Sequence, residues 1–237
     1  MRPSALVTGG AIRIGRAIVE YLASRDYPVI VHYSGSQQAA ESLAEQLRSA
    51  QAKVCLVQAD LTATAGPQLL LEQIPAEFQN IELLVNSAAI FPEQDQLGTI
   101  AQQWEAVMAL NARAPLFLTE AVWQHSPSLK QVINIVDARI QRNQKERLCY
   151  RWSKQLLAHA TSDLALAMAP NVRVNALALG AILPPPGCDE GYLNRLQTNI
   201  PLAQVGDRQQ VVNAIGYLLD QPFVTGQILA LDGGEFL

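Results

Sequence analysis

Tyr150 and Lys154 stand four positions apart in the stretch Tyr-Arg-Trp-Ser-Lys. On a helix that spacing brings both side chains to one face. A tyrosine with an ordinary pKa of about 10 is a reluctant acid or base at neutral pH. A neighbouring ammonium stabilises the phenolate and lowers that pKa, each unit being worth about 1.4 kcal/mol. Many helices carry such a pair on their surface with no chemical duty, so its meaning depends on the setting.

A second candidate lies near the start of the chain, in Thr8-Gly9-Gly10-Ala11-Ile12-Arg13-Ile14-Gly15. Glycines at a strand-to-helix turn let the backbone approach a pyrophosphate, and the helix N-terminus adds unpaired N–H groups and a positive dipole end. Any tight turn also uses glycine, so the position between a strand and an amphipathic helix is what favours nucleotide. The second strand then ends His32-Tyr33-Ser34-Gly35-Ser36, without the carboxylate that would hold a ribose 2′-hydroxyl. Its absence favours a 2′-phosphate, bound by hydroxyls and a cation, and therefore NADPH over NADH. Arg13 can reach either that region or the pyrophosphate.

Elements able to position these groups are readable along the whole chain. Short Val/Ile/Leu-rich runs at 5–8, 29–33, 54–58, 83–86, 132–136, 172–177 and 228–231 lack alternation, as strands buried on both faces do. Helical patterns separate them. Ile14, Ala17, Ile18, Tyr21 and Leu22 form one apolar stripe, and 153–168 repeats the spacing until Pro170. This alternation predicts an α/β fold, a single-domain Rossmann-type doubly wound parallel sheet of about seven strands with helices on both faces, over residues 1–237. The one loop-like interruption runs from Pro184-Pro185-Pro186-Gly187 to about Leu196.

The 237 residues are 49% apolar and 16% charged, the balance of a globular chain. A net charge of −4 offers no electrostatic ground for nucleic acid or an anionic membrane as partner. Cys55, Cys149 and Cys188 are far apart, with neither disulfide nor zinc-ligand spacing, and read as thiols of a reducing compartment. Met1 leads directly into a strand without the regions of a signal peptide. No apolar stretch approaches the ~20 residues of a membrane helix. The expectation is a soluble, cytoplasmic protein without a metal.

Taken in order, Thr8-Gly9-x-x-x-Arg13-Ile14-Gly15, Asp60-Leu61, Asn86-Ser87-Ala88-Ala89, Asn111, Tyr150-x-x-Ser153-Lys154 and Asp232-Gly233-Gly234 resemble the short-chain dehydrogenase/reductase family over essentially the whole chain. Two departures resemble its pteridine reductases: Arg13 in place of the middle glycine, and Asp137 in place of a catalytic serine, thirteen positions before Tyr150. The resemblance implies that Asp137, Tyr150, Lys154 and Asn111 are catalytic, Asn111 positioning a water beside Lys154, which also holds the nicotinamide ribose. It implies a cofactor site of Gly9, Arg13, Ile14, Gly15, His32, Tyr33, Ser34, Ser36, Asp60, Leu61, Asn86, Ser87, Ala88, Gly180 and Ile182, shared with Tyr150 and Lys154. It places substrate against Arg13, Ile90, Phe91, Asp137 and Tyr150, under a substrate-binding loop at 183–200.

A carboxylate at 137 suits a substrate that must gain a proton on nitrogen, as when hydride reaches the carbon of a dihydropterin C=N bond. Asp137 could instead cap the turn after its strand, and Asp60 could cap a helix ahead of Leu61. The basic run Arg139, Arg142, Lys145 and Arg147 is either a solvated loop or a receiver for an anionic substrate. The leading expectation is an NADPH-dependent reductase of a pterin-like heterocycle. A carbonyl or 3-ketoacyl reductase and a catalytically silent NADP-binding scaffold are the alternatives. Family resemblance implies a homotetramer built through the Tyr150 helix, the helix around Asn111 and the C-terminal strand, with Phe236 and Leu237 buried at a contact.

Overall fold

A computed structural model describes residues 2–185, 187–188 and 191–237. Seven strands form one parallel sheet: β1 (Ser4–Val7), β2 (Val29–Tyr33), β3 (Val54–Gln58), β4 (Ile81–Asn86), β5 (Gln131–Asp137), β6 (Arg173–Leu179) and β7 (Ile228–Leu231), in the order β3-β2-β1-β4-β5-β6-β7. The order reverses between β1 and β4. Crossovers to opposite faces leave a crevice at the carboxyl ends there, where an open sheet of this kind takes its ligands. Among the described residues, no helix is long and apolar enough to cross a membrane.

The helices α1 (Arg13–Ser24), α2 (Gln37–Ser49), α3 (Gly66–Glu72), α4 (Ile100–Met108), α5 (Ala114–His125), α6 (Leu148–Ala167), α7 (Gly191–Gln197) and α8 (Arg208–Asp220) cover the sheet. Two large apolar clusters follow, one per face: Val7, Ile18, Leu22, Val29 and Ile215 on one side, and Leu6, Ile30, Leu70, Leu118 and Val132 on the other. Alternate residues of β1 thus feed opposite cores, which explains why its run reads as continuously apolar. The last strand departs from that pattern. Ile228 on β7 is exposed because β7 is the edge of the sheet.

Three local readings are corrected by the fold. The buried face of α1 is Gly15, Ile18, Val19, Leu22 and Ala23, one step round from the expected stripe. Close approach sets this rotation, because a Cβ on Gly15 would stand 2.1 Å from the carbonyl oxygen of Gly9. Helix α6 starts at Leu148, earlier than the expected 153, and leaves Leu156 and Leu166 exposed. The interruption expected at 184–196 contains α7, whose Tyr192, Leu193 and Leu196 face a cleft. Pro186, Asp189 and Glu190 of that stretch lie outside the described residues.

Candidate active site

A cleft of about 670 Å³ opens at the crevice. Thr8, directly after β1, ties its two sides together: its Oγ1 accepts hydrogen bonds from the backbone N–H groups of Ser87 (3.0 Å) and Ala88 (3.1 Å), just after β4. Gly9 follows with φ +63, and a Cβ there would press on Ala88 Cα at 3.0 Å. Only glycine meets both demands at no cost. The first turn of α1 has no side-chain cap and no acidic residue, so its N–H groups face the cleft available to an anion.

Arg13 opens α1 with φ 54, a left-handed conformation that costs a side-chain-bearing residue on the order of 1 kcal/mol or more. Its guanidinium donates to the carbonyl of Pro184 at 2.6 Å, spanning from the glycine turn to the loop that begins the opposite wall. In this structure the side chain points along the cleft and not toward Ser34 and Ser36.

At the other end, Tyr150 donates its hydroxyl to Asp137 Oδ2 at 3.1 Å, while Asp137 Oδ1 accepts from the N–H of Arg139 at 2.8 Å. Asp137 thus caps the 3₁₀ turn Ala138–Gln141 with one oxygen and holds the phenol with the other. Lys154 donates to the carbonyl of Ile135 at 2.9 Å, with Nζ 5.9 Å from the centre of the Tyr150 ring. Burial lowers the Lys154 pKa to about 8, against the attraction of Asp137. Burial raises the Tyr150 pKa well above its ordinary value, and Asp137 raises it further by charge and by its hydrogen bond. The expectation that Lys154 would lower it is therefore reversed. Lys154 is aimed at a backbone carbonyl, whereas a carboxylate touches the phenol. Tyr150 therefore keeps its hydroxyl proton at neutral pH.

Gly9, Arg13, Ile14, Gly15, Ser87, Ile90, Phe91, Asp137, Tyr150, Lys154, Gly180 and Ile182 all line this one cleft. Other expected residues do not. His32 is buried behind the glycine turn, its Nδ1 accepting from Gly9 N–H at 3.2 Å and its Nε2 against the carbonyl of Ala59 at 3.1 Å. Burial lowers its pKa, in keeping with a neutral ring that shapes the cradle from behind. Tyr33 packs on Ala11 and Ala40. Asn86 is buried too, its amide donating to Thr119 and Asn134. Leu61 belongs to the core, and Asp60 caps a turn through Thr62 rather than a helix, since α3 starts only at Gly66. Ser34 and Ser36 sit at the carboxyl end of β2, beyond the cleft walls.

Asn111 does not line the cleft itself but borders it through Ile90. It lies in a π-helical turn, Ala109–Arg113, and both ends of its side-chain amide are engaged by the backbone of Ile90 at 2.9 Å. Its side chain thereby ties the π-helical turn to the backbone of Ile90, on the wall of the cleft. Phe91 meets Tyr150 edge-on, with centroids 4.6 Å apart and planes at 85°, an attractive aromatic geometry. The guanidinium of Arg147 lies 4.4 Å from the Phe91 centroid and that of Arg139 lies 5.4 Å from it.

Thr8, Ala89 and Tyr192 brace or line the site without having been assigned to it from the sequence, and Arg139, weighed there as a receiver for an anionic substrate, lines the cleft too. Arg139 sat in a polar run, and only its position two residues after Asp137 hinted that it turns inward. The basic run in fact divides: Arg139 and Arg147 are half-buried at the site, while Arg142 and Lys145 face solvent.

Known proteins resemble this chain over nearly its whole length. A family model described as enoyl-(acyl carrier protein) reductase matches residues 10–235. The dihydromonapterin reductase of Enterobacter sp. (strain 638) is 26% identical over 234 residues, spanning 97% of this chain and 95% of its own length. That of Citrobacter koseri is 27% identical over 236 residues, spanning 98% and 96%. The crystal structure of FolM alternative dihydrofolate reductase 1 from Brucella canis, complexed with NADP, matches at TM-score 0.93 and 34% identity, covering 99% of this chain and 94% of that one. The chain belongs to the short-chain dehydrogenase/reductase family, in its pteridine reductase-like branch.

Proposed function

We propose that residues 1–237 form one domain, a cytoplasmic NADPH-dependent reductase that converts a dihydropterin-like heterocycle to its tetrahydro form. The observation that carries this reading is the contact of the Tyr150 hydroxyl with Asp137 Oδ2 at 3.1 Å inside the cleft. The names of the dihydromonapterin reductase and dihydrofolate reductase relatives support it.

The cradle fits a dinucleotide. Gly9 and Gly15 leave the space that side chains would fill, and α1 presents uncapped N–H groups. Ser36 stands at the N-cap of α2 without using its hydroxyl as a cap. That helix end and the hydroxyls of Ser34 and Ser36 would receive a 2′-phosphate, and Lys154 and Gly180 would border the nicotinamide end. Arg13 would serve the pyrophosphate and the substrate together. Bound NADPH supplies hydride to the carbon of the C=N bond. Tyr150 holds the proton at its hydroxyl for the adjoining nitrogen, and Asp137 Oδ2 returns a proton to the phenol from the solvent side. Ile90 and Phe91 form one wall, and Pro185, Tyr192 and Leu196, from the stretch read as the substrate-binding loop at 183–200, line the other.

Purified protein should oxidise NADPH in the presence of a dihydropterin, with tighter binding of NADPH than of NADH in a fluorescence titration. Ser34→Asp should shift the preference toward NADH, because a carboxylate repels the 2′-phosphate and accepts from a ribose hydroxyl. Equal dissociation constants in the unaltered protein would refute the cofactor assignment.

The assembly proposed is a homotetramer. Exposed apolar side chains on the relevant elements support it: Trp104 on α4, Phe117 and Trp123 on α5, Leu156 and Leu166 on α6. Of the two C-terminal residues expected at a contact, Phe236 is buried within its own chain and Leu237 is exposed. Light scattering at micromolar concentration should give four times the chain mass, and a monomer would overturn the assembly.

A further inference from the structure

Asp95 lies outside every motif and does not line the cleft, yet it is 2% exposed and holds the start of the helix that carries Tyr150. Its Oδ1 accepts from the N–H of Cys149 and its Oδ2 from the N–H of Tyr150 itself, both at 2.8 Å. Its backbone carbonyl accepts from the N–H of Leu148 at 3.1 Å. Asp95 alone thus satisfies three of the four N–H groups that a helix start leaves unpaired. From Arg151 onward the regular ladder begins, its N–H donating to the carbonyl of Arg147.

The local chain offers no substitute. Arg147 occupies the N-cap with φ 58 and no capping side-chain bond. Asp95 therefore acts from 55 residues away, out of the same wall segment that continues from Ile90 and Phe91. A bridge between Gln96 and Glu146 runs alongside it. The carboxylate is also favourably placed against the positive end of the α6 dipole.

We propose that Asp95 is a positioning residue for the reduction: it sets the depth of Tyr150 against Asp137 and locks the substrate wall to the phenol. A loss of either oxygen contact lets the first turn of α6 fray, and the Tyr150 hydroxyl then leaves Asp137 for water. The proposal rests on the reductase reading for its rate effect, but its effect on the phenol requires no substrate.

The test uses full-length Asp95→Ala and Asp95→Asn, assayed below their unfolding temperatures. Asp95→Ala should lower kcat for dihydropterin about 10²-fold, the scale of a misplaced reacting group, with the NADPH dissociation constant within about threefold of wild type. Asp95→Asn keeps one acceptor oxygen and should fall between the two; it carries every readout if the Ala variant does not fold. In parallel, the Tyr150 phenol is titrated by ultraviolet difference absorbance, each protein against its Tyr150→Phe counterpart. Its midpoint should drop toward the ordinary value of about 10 when Asp95 is lost. A kcat within twofold of wild type, or an unmoved phenol midpoint, overturns the proposal. If the unaltered protein does not reduce dihydropterins, the function is wrong and the phenol titration alone decides the role of Asp95.

Discussion

Asp137→Ser should cut dihydropterin turnover about 10²–10⁴-fold, the range of a positioned proton donor, while NADPH affinity stays nearly constant. The geometry explains both halves. Asp137 divides its oxygens between the N–H of Arg139 and the hydroxyl of Tyr150, and a serine has a single oxygen for the two tasks. A serine hydroxyl can relay a proton but, unlike a carboxyl group, has no acid–base equilibrium with which to hold one for the phenol. A ketone behaves differently, since its developing alkoxide is helped by a hydroxyl donor and opposed by a carboxylate. Ketone turnover should therefore hold steady or rise in Asp137→Ser. Asp137→Asn keeps an oxygen for Arg139 and removes only the proton-carrying function, so it should lose dihydropterin turnover with little change in thermal stability. Tyr150→Phe should cripple both reactions. The decisive quantity is the ratio of dihydropterin to ketone turnover; if it does not fall in Asp137→Ser, the cap is the residue's whole role and the carbonyl-reductase reading takes its place.

The parts of this molecule that obey local rules were legible in its sequence. Strands buried on both faces announce themselves by unbroken Val/Ile/Leu runs, and a glycine turn between strand and helix announces a phosphate cradle. What escaped depends on distant partners. The start of α6 could not be placed, because its cap is Asp95, with no capping residue beside the helix. The rotation of α1 is set by the pressure of Gly15 on Gly9, which apolar spacing does not record. His32 reads as a cofactor residue from its position after β2, and only the fold reveals that its ring braces the glycine turn from behind. The sense of the Tyr150 shift was missed for the same reason. Spacing placed an ammonium near the phenol but could not show that it points at Ile135. Helix α7 hid behind a proline run, though Tyr192, Leu193 and Leu196 carry helical spacing.

Lys154→Met is expected to abolish reduction and yet stabilise the cofactor-free fold at neutral pH. Lys154 is buried, and desolvation brings its pKa down to about 8, with Asp137 opposing that fall. Below pH 8 the folded chain must keep an ammonium out of water, at a cost on the order of 3 kcal/mol. Methionine fills a similar volume without the charge. It forfeits the hydrogen bond to Ile135, worth about 1 kcal/mol, so the net gain in urea unfolding at pH 7 should be about 1–2 kcal/mol. The pH dependence carries a definite sign. Between about 8 and the ordinary lysine value of 10.5 the unfolded chain binds more protons than the folded one, so wild-type stability rises with pH across that window. The Met variant lacks this slope, and its advantage should shrink steadily from pH 8 to 10.5. A variant less stable than wild type at pH 7, or a gap independent of pH, would show that Lys154 is held there without strain. The predicted outcome instead makes the buried ammonium a group kept for chemistry at the expense of the fold.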